Sequence, residues 1–378
     1  MKRTRIFAEQ FSLGEGNVTV AVKDCIDIAG HRTACGSGAL ADRPPATTHA
    51  EVVRHLLERG ARIVGKAAMH ELAYGITGIN MWFGTTPNPL FPDLISGGSS
   101  SGSAAAVAAG LVDLALGTDT GGSVRMPAAC CGVFGFKPSF GRISRTGCYP
   151  EHSSLDCVGP FARDMQMLER GMALIDSGWF PVEAPDTLRL GMAVDVEADA
   201  AILNALEQQL KKAGVELVPV TLEGMEEAFG AGMAIIAAES WSAYHSLVED
   251  PRMGDDVRQR LLSASQVTEG QVNQAEAVRK AFRAVVDSAL AGVDALVMPT
   301  LPNAPPTIEE LSDPSMTLRL TALVRPFNLT GHPALTIPVG TIGGRPFACQ
   351  LVGRMGDDER LCSIGRVIEE RMHGKLAQ

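Results

Sequence analysis

Residues Ser96 to Ser123 read SGGSSSGSAAAVAAGLVDLALGTDTGGS, and the fold turns on how this stretch is interpreted. Two Ser/Gly clusters, SGGSSSG and TDTGGS, are joined by a small-residue run that predicts a helix and an apolar run that predicts a strand over Leu111 to Leu116. Glycine is used this densely where backbone turns tightly or is approached closely, because only glycine lacks the Cβ that would clash. Each cluster also carries hydroxyls. Backbone N–H groups beside a candidate nucleophile are the two parts that acyl transfer needs.

Working outward, VTVAVK (Val18 to Lys23) is β-branched and alternating, which predicts a strand ending in a lysine followed by Asp24. Thr48 predicts the N-cap of a helix carrying Val52, Val53, Leu56 and Leu57 as far as Gly60. A strand over Ala61 to Gly65 and a short helix over Ala67 to Tyr74 follow, and the Gly-, Asn- and Pro-rich Gly75 to Ser96 reads as loop. Downstream, Pro127 opens a helical segment that buries the adjacent Cys130 and Cys131. Beyond Phe161 the pattern alternates: a helix to Ile175, a strand in TLRLGMAV, a helix over Ala200 to Ala213 and a strand in VELVPV. Longer helices over Glu223 to Val248 and Val267 to Leu290, strands in DALVMP, LTIPVG and FACQLVG, and a closing helix over Asp358 to Met372 complete it. Such alternation predicts an α/β fold, a sheet covered by helices. The expectation is one domain over residues 1–378, with no internal repeat.

Composition narrows the function classes. With 46% hydrophobic and 20% charged residues the chain has the balance of a folded protein with a large core. A net charge of −10 and the lack of any Lys/Arg run argue against a nucleic-acid partner. The opening MKRTRIFAEQFSLGEG has no apolar run after its basic residues, and the run from Ala104 to Leu116 is broken by Gly110 and Asp113, so neither a signal peptide nor a membrane span is expected. The eight cysteines are scattered without a CxxC, and no HExxH occurs, so zinc and dithiol chemistry are unsupported and a reducing cytoplasm is the expected compartment.

Three local patterns compete for the chemistry. GARIVGKA (Gly60 to Ala67) fits GxxxxGK, but it ends in Ala where a P-loop needs Ser or Thr, and its middle is strand-like. GSSSG (Gly98 to Gly102) fits GxSxG and would make Ser100 a nucleophile on a strand-to-helix elbow; the residues before it, FPDLIS, read as loop instead of strand, and His152, His245 and His332 have no distinctive context. GTDTGGSVR (Gly117 to Arg125) does follow a predicted strand. Ser123 could there sit among amides of Thr120, Gly121 and Gly122, or simply cap the following helix. A serine needs a base, and with no SxxK present a distant Lys or His must supply it.

The block PNPLFPDLISGGSSSGSAAAVAAGLVDLALGTDTGGSVRMPAACCGVFGFKPSFGRIS closely resembles the signature region of the amidase signature family of serine amidohydrolases. VAVKDCIDIAGHRTACGSG and AAMHELAYG upstream, and VGPFARD, FNLTGHPALTIPVG and FACQLVG downstream, extend the resemblance. It implies a large mixed β-sheet flanked by helices on both sides, with a signature core at about 60–180 and a variable, substrate-shaping region at about 180–326. It also implies a Ser–cis-Ser–Lys triad of Ser123 as nucleophile, Ser99 as bridge and Lys23 as base, with Thr120, Gly121 and Gly122 forming the oxyanion hole. Such a lysine must be buried or crowded by donors to lose its proton.

The activity so implied is cleavage of a small-molecule carboxamide through an acyl-enzyme on Ser123, with no metal or organic cofactor. Tyr74 to Gly78, with Met126 and Cys148, are expected to line the pocket, Asp119 and Arg125 to pair across the turn, and Lys137 to serve the framework. His70 stands where relatives often carry Asp, so no role is carried over to it. Compact indole-3-acetamide hydrolases and malonamidase-like enzymes look nearest, and a homodimer is compatible with the resemblance. Two rivals are the A subunit of a tRNA-dependent amidotransferase, against which the acidic balance and shortness of the chain weigh, and a non-catalytic Gly-rich scaffold, against which the complete triad weighs.

Overall fold

The computed structural model describes residues 5–313, 317 and 319–372. Its strands in chain order are β1 (Phe7–Leu13), β2 (Val18–Lys23), β3 (Ala61–Ala67), β4 (Leu114–Asp119), β5 (Phe134–Lys137) and β6 (Cys157–Ala162). They continue with β7 (Arg189–Ala193), β8 (Glu216–Val220), β9 (Ala295–Pro299), β10 (Ala334–Ile342) and β11 (Arg345–Val352). All belong to one mixed 11-stranded sheet of order β1-β3-β2-β4-β6-β5-β10-β11-β9-β7-β8, with helices on both faces. Among the described residues no helix is long and apolar enough to cross a membrane.

The site-bearing end of the sheet follows from the alternation of β2 and β4. Val20, Val22, Leu114 and Leu116 face one side and join the main apolar core. Ala21 and Ala115 face the other, beneath the helix Ser101–Ala108, whose Ala104, Ala106 and Val107 pack on them. Small residues on both partners bring helix and sheet close. A Cβ on Gly102 would lie 2.3 Å from the Ile6 carbonyl oxygen and 2.5 Å from the Ala68 amide. β2 and β4 run parallel with Val22 opposite Leu116, so the Lys23 end of one strand lies beside the Thr118–Asp119 end of the other.

Several expected elements shift. The first long helix is Glu51–Glu58, and its N-cap is Ala50 without a side-chain bond, so Thr48 does not cap it. β4 starts at Leu114 and runs on through Asp119, three residues beyond the expected end. The helix expected over Ala67 to Tyr74 is absent: β3 extends to Ala67, and only a 3-10 turn at Glu71–Ala73 follows, with Leu72 at φ 53°. That backbone is recruited elsewhere, since the His70 amide donates to the Ser99 carbonyl at 3.0 Å. The GxxxxGK match lies across β3, and its Lys66 is buried on Asp24 at 3.2 Å and on the Thr33 hydroxyl at 2.8 Å, a structural role.

Candidate active site

Lys23 is wholly buried at the end of β2. Its Nζ is 2.8 Å from Ser99 Oγ, 2.8 Å from Thr118 Oγ1 and 3.4 Å from the Thr118 carbonyl. Burial is the largest influence on this amine and lowers its pKa from the ordinary 10.5; the Cys25 thiol and the carboxylates of Asp156 and Asp119 pull the other way without reversing it. Ser99 follows a cis peptide from Gly98. Its hydroxyl can accept one proton while donating another.

The two Ser/Gly clusters meet. The Ser100 amide donates to the Ser123 carbonyl at 3.3 Å, which lays the turn after β4 against the start of the Ser101–Ala108 helix. Ser100 itself is fully buried, its Oγ donating to the Thr118 carbonyl at 3.2 Å and accepting from the Thr118 amide at 3.3 Å. A hydroxyl committed this way, with no preceding strand, is not a nucleophile elbow. Ser123 is different: it lines a cavity of about 1140 Å³ together with Thr120 and Gly121.

The turn that presents Ser123 is held by one buried ion pair. Asp119 accepts from the Gly122 amide at 2.7 Å and the Val124 amide at 3.1 Å. It also meets Arg125 Nε at 3.0 Å and Nη2 at 2.9 Å. Arg125 reaches on to Asn328 Oδ1 and Gln350 Oε1, both at 2.6 Å, and to the Val324 carbonyl at 2.7 Å. Burial works against an ionised Asp119, but Arg125 and Asn328 outweigh it and hold the carboxyl far below its ordinary 3.8. The expected Asp119–Arg125 pairing is therefore present, and Lys137 is a buried framework residue bonded to the Pro138 carbonyl at 2.9 Å.

Two expectations are corrected. Gly122 does not face the cavity, and its amide is already given to Asp119, so it leaves the oxyanion set; Thr120 and Gly121 remain on the cavity wall beside Ser123. Met126 is wholly buried among Ile95, Ala129 and Cys130 and contributes nothing to the cavity, and Cys148 and Gly78 are likewise outside its lining. Tyr74 and Gly75 do line it, with Ile76 and Thr77.

Sequence reasoning missed the far wall. Met233 and Ile236 come from the helix Met225–Tyr244, Asp256 and Arg260 from the helix Asp255–Ala264, and Arg325 from the start of the helix Arg325–Thr330. Arg260 binds Asp256 and reaches His70 Nε2 at 3.3 Å. His70 is buried with its Nδ1 unbonded, and burial lowers its pKa ahead of the opposing pull of Asp256. An arginine inside the apolar run LTALVRPFNL was the available signal for Arg325.

The sequence profile of the Amidase family matches residues 16–362. The chain belongs to the amidase family. It is 35% identical to the A subunit of glutamyl-tRNA(Gln) amidotransferase from Methanospirillum hungatei, over 96% of this chain and 95% of that protein. A crystal structure of an amidase superposes with a TM-score of 0.86 at 32% identity, covering 94% of this chain and 85% of the other. The corresponding amidotransferase chain from Thermotoga maritima superposes with a TM-score of 0.82 at 30% identity, covering 98% and 87%. The amidase family thus accounts for the mixed sheet and its flanking helices, and makes the chain an amide-cleaving C–N hydrolase.

Proposed function

We propose that this member of the amidase family hydrolyses a primary carboxamide through an acyl-enzyme on Ser123, with Ser99 relaying protons to Lys23. The observation that carries the reading is the 2.8 Å contact between a fully buried Lys23 amine and Ser99 Oγ. The Ser123 hydroxyl adds to the amide carbon as its proton passes to Ser99 Oγ and the Ser99 proton passes to Lys23 Nζ. Collapse breaks the C–N bond, and the proton returns by the same path to the leaving nitrogen as ammonia. Water then adds to the ester, giving its proton to the relay, and the acid departs as Ser123 recovers its hydrogen. On this reading the oxyanion is held by amides of Thr120, Gly121 and Ser123, the members of the turn that line the cavity, and each such donor is worth about 3 kcal/mol in the barrier.

Glutamine is the first amide to try, because the relatives from Methanospirillum hungatei, Archaeoglobus fulgidus and Thermus thermophilus are glutamyl-tRNA(Gln) amidotransferase chains. On this reading the ammonia is passed to a partner, and these relatives favour it over a free-standing small-molecule amidase. The second reading has its support in the amidase that superposes at a TM-score of 0.86. The test is ammonia release from glutamine, indole-3-acetamide, malonamate and ureido compounds, with Ser123→Ala as control. Turnover of at least one amide, lost in the variant, is expected; turnover that survives in Ser123→Ala removes Ser123 from the reaction.

A further inference from the structure

Arg325 has a different setting from the other cavity arginines. Arg252 and Arg260 are bound to Asp250 and Asp256, whereas Arg325 pairs with no carboxylate among the described residues. Its Nε is shut off from solvent without an acceptor, and its titratable neighbour Tyr74 is a phenol whose pKa burial raises, so it supplies no negative charge at neutral pH. Burial draws its pKa down to about 10, which leaves it a cation at neutral pH. The residue as a whole is half-buried on the cavity wall, so a cation without a counter-ion is turned toward the space a ligand would fill.

The surroundings are shaped to hold it. A Cβ on Gly232 would lie 2.9 Å from Arg325 Cγ, and one on Gly121 would lie 2.9 Å from Arg325 Nε, so both glycines make room for the side chain. The Phe229 ring lies under the guanidinium at 4.9 Å from its centroid. Gly121 is two residues from Ser123, on the same stretch of cavity wall. The cation therefore stands close to the reacting centre, where a planar fork of donors matches a carboxylate.

We infer that Arg325 is a specificity residue that binds a carboxylate carried by the substrate, making the preferred substrates short primary amides with an anionic far end, of which succinamate and glutamine are examples. This rests on the proposed amidohydrolase reading of Ser123. The test compares kcat/KM for succinamate with that for butyramide, its neutral counterpart, in the wild type, Arg325→Gln and Arg325→Lys. The wild type is expected to favour succinamate at least tenfold, Arg325→Gln to collapse that ratio by tenfold or more, and Arg325→Lys to restore part of it. A wild type that treats both amides alike, or an Arg325→Gln that slows both equally, overturns the inference. Calorimetry of succinamate with Ser123→Ala, alone and combined with Arg325→Gln, reads the same contact without turnover. Binding that is lost with Arg325 supports it even if hydrolysis fails and the amidohydrolase reading falls; binding that ignores Arg325 refutes it while leaving Ser123 untouched.

Discussion

A lysine amine becomes useful as a base only when its proton is held loosely, and the burial of Lys23 does this while Ser99 and Thr118 hold the nitrogen in place. Because its pKa lies below 10.5, the unprotonated amine is populated at a lower pH than for an exposed lysine. Acylation of the enzyme should therefore lose rate as pH falls through that lowered value, and a rate that still climbs up to the pKa of a free lysine would contradict the assignment. Stopped-flow acylation across pH gives the answer. Ser100 supplies the contrast. With its hydroxyl spent on the Thr118 backbone, Ser100→Ala should retain acylation but lose about 1–2 kcal/mol of stability in urea melts, the cost of leaving a buried amide unsatisfied. Loss of acylation with unchanged stability would return the nucleophile to position 100.

The turn between β4 and the helix Arg125–Cys131 depends on Asp119 and Arg125 more than on its glycines alone. Arg125→Met leaves a carboxylate buried without its counter-ion, and the expected loss is about 3–5 kcal/mol by denaturant melts, with activity failing in proportion to the folded fraction. The Asp119 carboxyl titrates well below 3.8 in the folded chain, so its stabilisation is complete above that pH and drains away as pH falls beneath it. Asp119→Asn should accordingly be weaker at neutral pH and show a flatter acid limb; an unchanged limb would show that other carboxylates set it. Gly122 sits at φ 111°, and a Cβ there would lie 2.3 Å from Val324 Cγ2. At this scale the reach of the sequence is clear. Ser123 is a candidate from its own Gly-rich cluster, whereas Lys23 and Ser99 are singled out only by the resemblance to the amidase signature family, since a lone lysine at a strand end carries no local mark; β2 and the closing helix Asp358–Met372 are legible because their patterns are regular. The edge strand β1 was missed because FAEQFSL, half-exposed along its length, has no clean alternation. Positions 67–74 carry helical spacing, yet Ala67 completes β3 and the His70 amide is held by the Ser99 carbonyl, which leaves only the 3-10 turn at Glu71–Ala73. Nothing local tells that Asn328 and Gln350 will close on Arg125, about 200 residues earlier.

Across the whole molecule, Lys23 and the turn bearing Ser123 lie at the same end of the parallel strands β2 and β4, with Ser99 against Lys23, while the opposite cavity wall is built by helices from the middle and late chain. If the chain works as the glutaminase of an amidotransferase, ammonia release from glutamine should be slow for the purified chain and rise severalfold when the partner chains and tRNA are supplied; equal rates with and without them would favour a free-standing amidase. The proposed hydrolysis requires Ser123 to be activated through Ser99 and Lys23, and active-site labelling with a fluorophosphonate followed by peptide mapping tests this most directly. The label should sit on Ser123 in the native protein and vanish in a folded Lys23→Ala variant. Label on Ser100, or undiminished label on Ser123 without Lys23, would contradict it.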